Sequence, residues 1–344
     1  MPTTNQVKSI VFAGPGEVQL RSGPAPTPDD GQVLVRAECS AISAGSEMLV
    51  YHGLAPRNEP VDKTLPDLSG DFHYPVQYGY AVVGRVIQCG RGVDTCLRDQ
   101  RVFAFHPHES LFVTDAERVV PLPDDLATED ALFAANMDTA LTLIMDARPI
   151  IGERVAVCGQ GVVGLLTTSL LASCRLERLA TLDSYPLRRQ LSRSSGADLA
   201  VDASDKTAVS ALRDEFYSDR IDGADLVFEI SGNPEALGTA IDLTGFGGRV
   251  VIGSWYTREE GNIAIGTHFH RNRIRLISSQ VSTIAPDHVG RWDKSRRLNT
   301  ALKLVARHQP SELITHRFPI DRGAEAYQLL DKHPDEAVQV VLTY

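Results

Sequence analysis

A chain of 344 residues has room for roughly two domains of about 150 residues each. Its 43% hydrophobic and 23% charged residues follow ordinary globular usage, which excludes disordered, collagen-like and coiled-coil chains. With 34 Lys and Arg against 44 Asp and Glu, the formal charge of -10 disfavours a global attraction to nucleic acid or to an anionic membrane.

The five cysteines, Cys39, Cys89, Cys96, Cys158 and Cys174, form no C-x-x-C pair and lack the density of a secreted disulfide scaffold. Residues Met1 to Gln6 show no basic segment followed by an apolar one, and no run of about 18 apolar residues occurs. A cytoplasmic protein without a membrane span is the expectation.

In chain order, short β-rich segments come first: Ser9 to Phe12, Gln32 to Ala37, Ala81 to Gln88, Arg101 to Phe105 and Leu111 to Val113. Turn residues such as Gly14-Pro15-Gly16 and Gly90-Arg91-Gly92 separate them, as in a barrel-like β domain. The Pro-rich stretch from Tyr51 to Pro75 has no sustained periodicity and reads as a lid candidate. Near Ala127 the texture changes to helix, with Thr128-Glu129-Asp130 leading into Ala131 to Ala135 and then Thr139 to Met145. Strands at Arg154 to Cys158, Arg178 to Leu182, Leu199 to Asp202, Leu226 to Ile230 and Arg249 to Ile252 then alternate with helices at Leu165 to Ala172, Pro186 to Ser194 and Pro234 to Asp242. That alternation predicts a parallel sheet covered on both faces. The tail carries helices at Arg296 to Arg307 and Gly323 to Leu330 and strands at Thr315 to Phe318 and Ala337 to Leu342, the last of which is free to return to the first domain.

Gly159-Gln160-Gly161-Val162-Val163-Gly164 follows a strand and opens a helix. Gly159 permits the tight turn, Gly161 lets a pyrophosphate approach the backbone, and Gly164 lets helix and strand pack closely. The free N–H groups at the helix start, from Val162 onward, then face the phosphates. Asp183 ends the next strand, where a carboxylate holds ribose hydroxyls and repels a 2′-phosphate, so NAD is the expected cofactor. Arg188 and Arg189 are either receptors for a phosphate or solvated helix-face arginines.

These residues resemble the medium-chain dehydrogenase/reductase superfamily along nearly the whole chain. Supporting segments are Gln32 to Ala37, Gly79 to Gly84, Gln100 to Phe103, Asp138-Thr139-Ala140 and Phe228 to Asn233. The resemblance implies an α/β fold: a chaperonin-10-like β-barrel catalytic domain (1–138 and 297–344) plus a Rossmann doubly wound parallel sheet (139–296). It also implies cofactor contacts from Thr139, Ser231, Gly253 and Ser279, and a homodimer. Zinc-dependent members carry Cys, His-Glu and a further Cys or Asp, whereas this chain has Ser43, Tyr80-Ala81 and Ala135 there. Such residues cannot build the N/S tetrahedron that zinc prefers, and the four-Cys structural lobe is missing too. The chain is similar to a zinc-free member of the subgroup named for 2-desacetyl-2-hydroxyethyl bacteriochlorophyllide dehydrogenase, through Ile42 to Glu47, Tyr74-Pro75-Val76, Pro107-His108 and Gly159 to Leu166. Oxidation of a secondary alcohol with NAD is the implied reaction.

Without a metal, hydride transfer needs a base for the hydroxyl proton and a donor for the developing alkoxide. Tyr80 is either that donor or a packed aromatic, and His106 and His108, which titrate near neutrality, are each either the proton acceptor or a structural or exposed histidine. Ser46 and Glu47 form either a proton relay or an acidic helix start. Asn136 and Asp138 are candidates to line the cleft, with helix capping the simpler reading of Asp138. In extended form, His268 to Arg275 would set Arg271, Arg273 and Arg275 on one face, either a solvated edge or an anion contact and the only support for nucleic acid. Competing functions are a zinc-free reductase of activated C=C bonds and a non-catalytic nucleotide-binding protein.

Overall fold

The computed structural model describes residues 6–56, 60–62, 64, 68, 70–218, 221–256 and 265–344. Two units, each with its own buried core, divide the chain: Met1–Ala135 with Leu302–Tyr344, and Asn136–Ala301. The crossings thus fall at 135/136 and 301/302, against 138/139 and 296/297 from the sequence reading.

The first unit begins with β1 (Gln6–Gly14) and β2 (Glu17–Pro24), an antiparallel hairpin that turns through Gly16 at φ +74°. It continues with β3 (Gln32–Ile42), α1 (Ala44–Tyr51), β4 (Val82–Cys89), β5 (Arg101–Ala104), β6 (Leu111–Asp115), β7 (Val120–Pro121) and α2 (Thr128–Ala131). The helix α3 (Ala134–Ala147) leads into the second unit. There follow β8 (Arg154–Cys158), α4 (Val162–Ala172), β9 (Arg178–Asp183), α5 (Pro186–Ser194), β10 (Leu199–Asp202), α6 (Lys206–Phe216), β11 (Tyr217–Ser218) and β12 (Ile221–Asp222). Next come β13 (Ala224–Glu229), α7 (Pro234–Leu243), β14 (Thr244–Ile252), α8 (His268–Arg271), β15 (Arg275–Ser278) and α9 (Lys294–His308). Finally β16 (Ile314–Pro319), α10 (Gly323–Lys332) and β17 (Gln339–Thr343) complete the first unit.

In the first unit the sheet order is β16-β17-β3-β4-β5-β7, with β6 also pairing β3. The last strand does return: β17 runs antiparallel to β3, Val341 opposite Ala41. Alternate residues Val33, Val35 and Ala37 of β3 pack inward with Val82, Val86, Val102 and Phe112, the period-two pattern of a half-buried strand. A second core joins Phe12, Ile42, Tyr51, Tyr327 and Leu342.

The second unit has the parallel order β10-β9-β8-β13-β14-β15, the doubly wound arrangement whose ligand crevice opens where the order reverses, between β8 and β13. Arg249, buried at the base of this sheet, donates to the carbonyls of Ala147 and Arg148 and pairs with Glu153. It thereby satisfies carbonyls left open at the end of α3.

Several expectations need correction. The arginines of 271–275 share no face, because Arg271 lies in α8, Arg273 is left-handed at φ +53° and only Arg275 is in a strand. Asp138 lies within α3 and caps nothing: both its oxygens meet Arg297, at 2.8 and 2.9 Å. Burial pushes its carboxyl up, and Arg297 counters that rise. Within the lid candidate, Ala55, Val61, Leu68 and Phe72 are buried in the core beside Tyr78, so the described part is a packed loop; 57–59, 63, 65–67 and 69 lie outside the described residues. Among the described residues, no helix is long and apolar enough to cross a membrane.

Candidate functional site

The glycine loop in the second unit is shaped to receive a phosphate. Gly159 sits at φ +95° with the backbone of Ser231 against it, and a Cβ on Gly164 would lie 2.0 Å from the Gly159 carbonyl oxygen. By contrast a Cβ on Gly161 would meet open space, so the loop presents bare backbone there. Gly161 is also the N-cap of α4 and offers no side chain to the amides of Val162, Val163 and Gly164. A helix start without a side-chain cap leaves amides that can bond an anion.

Asp183 stands at the end of β9 with its carboxylate fixed by two amides, those of Gln160 (2.8 Å) and Tyr185 (2.9 Å). Each carboxylate oxygen still has a lone pair available to a hydroxyl donor. Arg189 is occupied within the fold, donating to the carbonyls of Asp183 and Ser184 and lying 3.1 Å from Asp202. Arg188 stacks over the Tyr185 ring at 4.8 Å. Of the other expected cofactor contacts, Ser231 donates its hydroxyl to Glu229, and Ser279 donates to Asp146 at 2.6 Å. Gly253 leaves no room for a side chain, since a Cβ would come within 2.6 Å of Leu143. Thr139 lies on α3. These residues fit a dinucleotide, which the glycine cradle, Asp183 and the loops after β13 and β14 would hold.

In the first unit, the Tyr80 hydroxyl sits between two serines: it bonds Ser43 Oγ at very short range and Ser46 Oγ at 2.9 Å. The α1 start supplies both serines, and the Gly79-Tyr80 segment supplies the phenol. Burial pushes the Tyr80 phenol above its ordinary 10.0; the serine hydrogen bonds pull the other way, and Glu47 adds to the rise. Tyr80 is therefore a neutral hydrogen-bond donor at physiological pH. Tyr78 stands edge-on to it with ring centroids 5.9 Å apart.

Beneath this cluster runs a largely buried polar network that sequence spacing did not reveal. Glu47 accepts from the Ser43 amide (2.7 Å) and the Tyr327 hydroxyl (2.5 Å), and lies 3.0 Å from His108 Nε2. His108 Nδ1 meets Ser40 Oγ at 2.7 Å, and Ser40 bonds the Tyr344 hydroxyl. Gly79, at φ +116°, is required here because a Cβ would lie 2.5 Å from His108 Nε2. With 0% exposure and both ring nitrogens engaged, His108 has no atom to offer a substrate. His106 stacks on Phe112 with centroids 3.9 Å apart and its Nδ1 3.1 Å from the Pro107 carbonyl. His108 is thus placed as a structural histidine, while His106 lies against Phe112 with its Nε2 3.9 Å from Glu109 Oε2. Ser46 is the expected residue that the structure does bring to Tyr80, while Glu47 turns inward to His108.

The donor set does not fit zinc. At the positions matching the metal ligands of zinc-dependent members, Ser43 and Tyr80 offer neutral hydroxyls bonded to each other, and Ala135 offers a methyl group. Among the described residues there is no group of three or more His, Cys, Asp or Glu able to hold a metal ion.

A family model described as "Zinc-binding dehydrogenase" matches residues 162–304. The chain is 27% identical over 295 residues to (R,R)-butanediol dehydrogenase of Bacillus subtilis, covering 78% of this chain and 81% of that protein. It is 21% identical over 355 aligned positions to human sorbitol dehydrogenase, covering 94% and 92%. Among solved structures, an alcohol dehydrogenase of Escherichia coli complexed with NADH superposes with a TM-score of 0.80 at 19% identity, covering 99% of this chain and 100% of that one. A zinc-binding dehydrogenase of Sinorhizobium meliloti bound to NADP gives 0.79 at 19%, covering 99% and 100%. The fold of these structures is the fold of this chain.

Proposed function

We propose that this chain, a medium-chain alcohol dehydrogenase of the zinc-binding dehydrogenase superfamily, interconverts a secondary alcohol and a ketone with NAD(H) and without zinc. The observation that carries the reading is the Ser43–Tyr80–Ser46 hydroxyl cluster in place of a metal-binding set. A bound nicotinamide supplies the hydride acceptor for alcohol oxidation and the hydride donor for ketone reduction. Tyr80 directs its O–H to the substrate oxygen and stabilises the charge that develops there. In oxidation the alcohol proton passes into the cluster, each hydroxyl taking one proton as it releases its own, and leaves through half-buried Ser46 to water. Glu47 and His108 hold the start of α1 and the Gly79-Tyr80 segment in register and do not touch substrate.

Asp183 supports NAD over NADP, since a carboxylate fixed at the end of β9 binds ribose hydroxyls and repels a 2′-phosphate. Substrates are small alcohols and ketones, the site of action is cytoplasmic, and a homodimer would pair the edge strand β15 across a two-fold axis. Light scattering that finds only monomer at micromolar concentration would remove that last element. The deciding experiment follows nicotinamide absorbance with chelated protein, a panel of secondary alcohols, ketones and activated alkenes, and either cofactor. Turnover of alcohols or ketones with NAD(H) is expected, with Asp183→Ser narrowing the gap to NADP(H). Alkene reduction alone, or no turnover with any substrate, would overturn the reading.

A further inference from the structure

Glu229, at the carboxyl end of β13, is fully buried. One carboxylate oxygen accepts from the Ser231 amide (2.9 Å) and the Ser231 hydroxyl (2.5 Å). The other accepts from the Tyr256 hydroxyl in the segment that follows β14. Two further bonds run alongside: the Gly253 amide donates to the Glu229 carbonyl at 2.9 Å, and the Gly232 amide donates to Ser254 Oγ at 2.8 Å. One buried side chain therefore ties together two adjacent loops, 230–233 and 253–256. Those two bonds already join the segments, so folding alone gives little reason to bury a carboxylate, whose desolvation is costly.

The position of these loops supplies the reason. Asp183 on β9 marks the adenosine side of the crevice, and a dinucleotide that crosses the reversal between β8 and β13 places its other half over the ends of β13 and β14. We propose that Glu229 and Tyr256 form a latch that positions the 230–233 and 253–256 loops for the nicotinamide half of the cofactor. This rests on the reading of the second unit as a dinucleotide site. Both are positioning residues: Tyr256 keeps its proton and donates it permanently, because burial and the adjacent Glu229 push its phenol far up. Ser231 and Ser254, held on either side of the latch, are the groups it presents.

Isothermal titration of the full chain with NADH and with ADP-ribose, which lacks the nicotinamide, tests the latch. Tyr256→Phe deletes one hydroxyl and is expected to weaken NADH about tenfold, equivalent to about 1.4 kcal/mol, while ADP-ribose binding changes by less than about twofold. Glu229→Gln should act in the same direction, as its amide cannot accept from Ser231 and Tyr256 together through both terminal atoms. Unchanged NADH affinity in both variants, or equal weakening of both ligands, would overturn the latch. Unsubstituted protein that binds neither ligand would instead overturn the dinucleotide reading itself.

Discussion

Substitution of Glu47 by Ala removes the acceptor shared by the Ser43 amide, the Tyr327 hydroxyl and His108. Tyr327 and His108 are both fully buried, so neither regains its hydrogen bond from water. An orphaned buried donor costs about 1–3 kcal/mol, which puts two of them at roughly 4 kcal/mol together. For a unit of this size each kcal/mol moves the melting temperature by about 2–4 °C, so Glu47→Ala should melt roughly 8–16 °C below the parent chain. Glu47→Gln retains one acceptor oxygen and should fall between the two. Differential scanning calorimetry of the full chain reads the shift directly. If Glu47→Ala melts within about 2 °C of the parent, the network is not the keystone described, and the inward orientation of Glu47 loses its energetic meaning. Turnover adds a second reading: the same carboxylate fixes the amide of Ser43, so the alanine variant should also lose activity below its own melting range.

Other outcomes follow from the same geometry. Tyr80→Phe should lower kcat roughly 10²–10³-fold, the usual loss for one oxyanion donor, with NADH affinity held within about twofold; a loss under about threefold in steady-state assays contradicts the role. Because burial holds the Tyr80 phenol above 10.0, the parent pH–rate profile should show no limb from its ionisation between about pH 7 and 10. Elemental analysis should find far less than one zinc per chain, and turnover should survive chelation; one tightly held zinc would refute the donor-set argument. Burial pushes the Glu153 carboxyl up, but Arg249 and the Ile150 amide outweigh this and hold it below its ordinary 4.5. The unfolded chain then binds that proton more readily, so stability is lost as the pH falls through and below about 4.5. Urea midpoints should decline there in the parent and less steeply in Glu153→Gln; identical slopes would dismiss the linkage.

The second unit was legible because its information is local. Strand, glycine loop, helix and acid lie within Arg154 to Asp183, each residue type answering a backbone need of its own neighbours. Elements without such signals were missed. The strand β2 is largely exposed and its alternation is confined to Glu17-Val18-Gln19-Leu20-Arg21, and α6 buries only Leu212 and Phe216 among its described side chains. The arginine stripe failed for a related reason: alternate spacing implies one face only in a strand, and left-handed Arg273 breaks the chain direction between α8 and β15.

The chemistry of the first unit is long-range, and that is why sequence reasoning did not foresee which groups would meet there. Ordinary pKa values made His106 and His108 attractive as bases, but a pKa argument presumes that the group meets the substrate. Glu47 finds Tyr327 across 280 positions of chain and His108 across 61, and only the sheet that sets β17 against β3 brings these segments together. Once assembled, the network consumes both nitrogens of His108 and leaves Ser43, Ser46 and Tyr80 as the hydroxyl groups above it. On the function proposed above, proton handling rests on residues with suitable positions rather than on residues with suitable pKa values. A neutral phenol flanked by two hydroxyls can move a proton without ever holding a charge, which suits a half-buried site better than an imidazolium would.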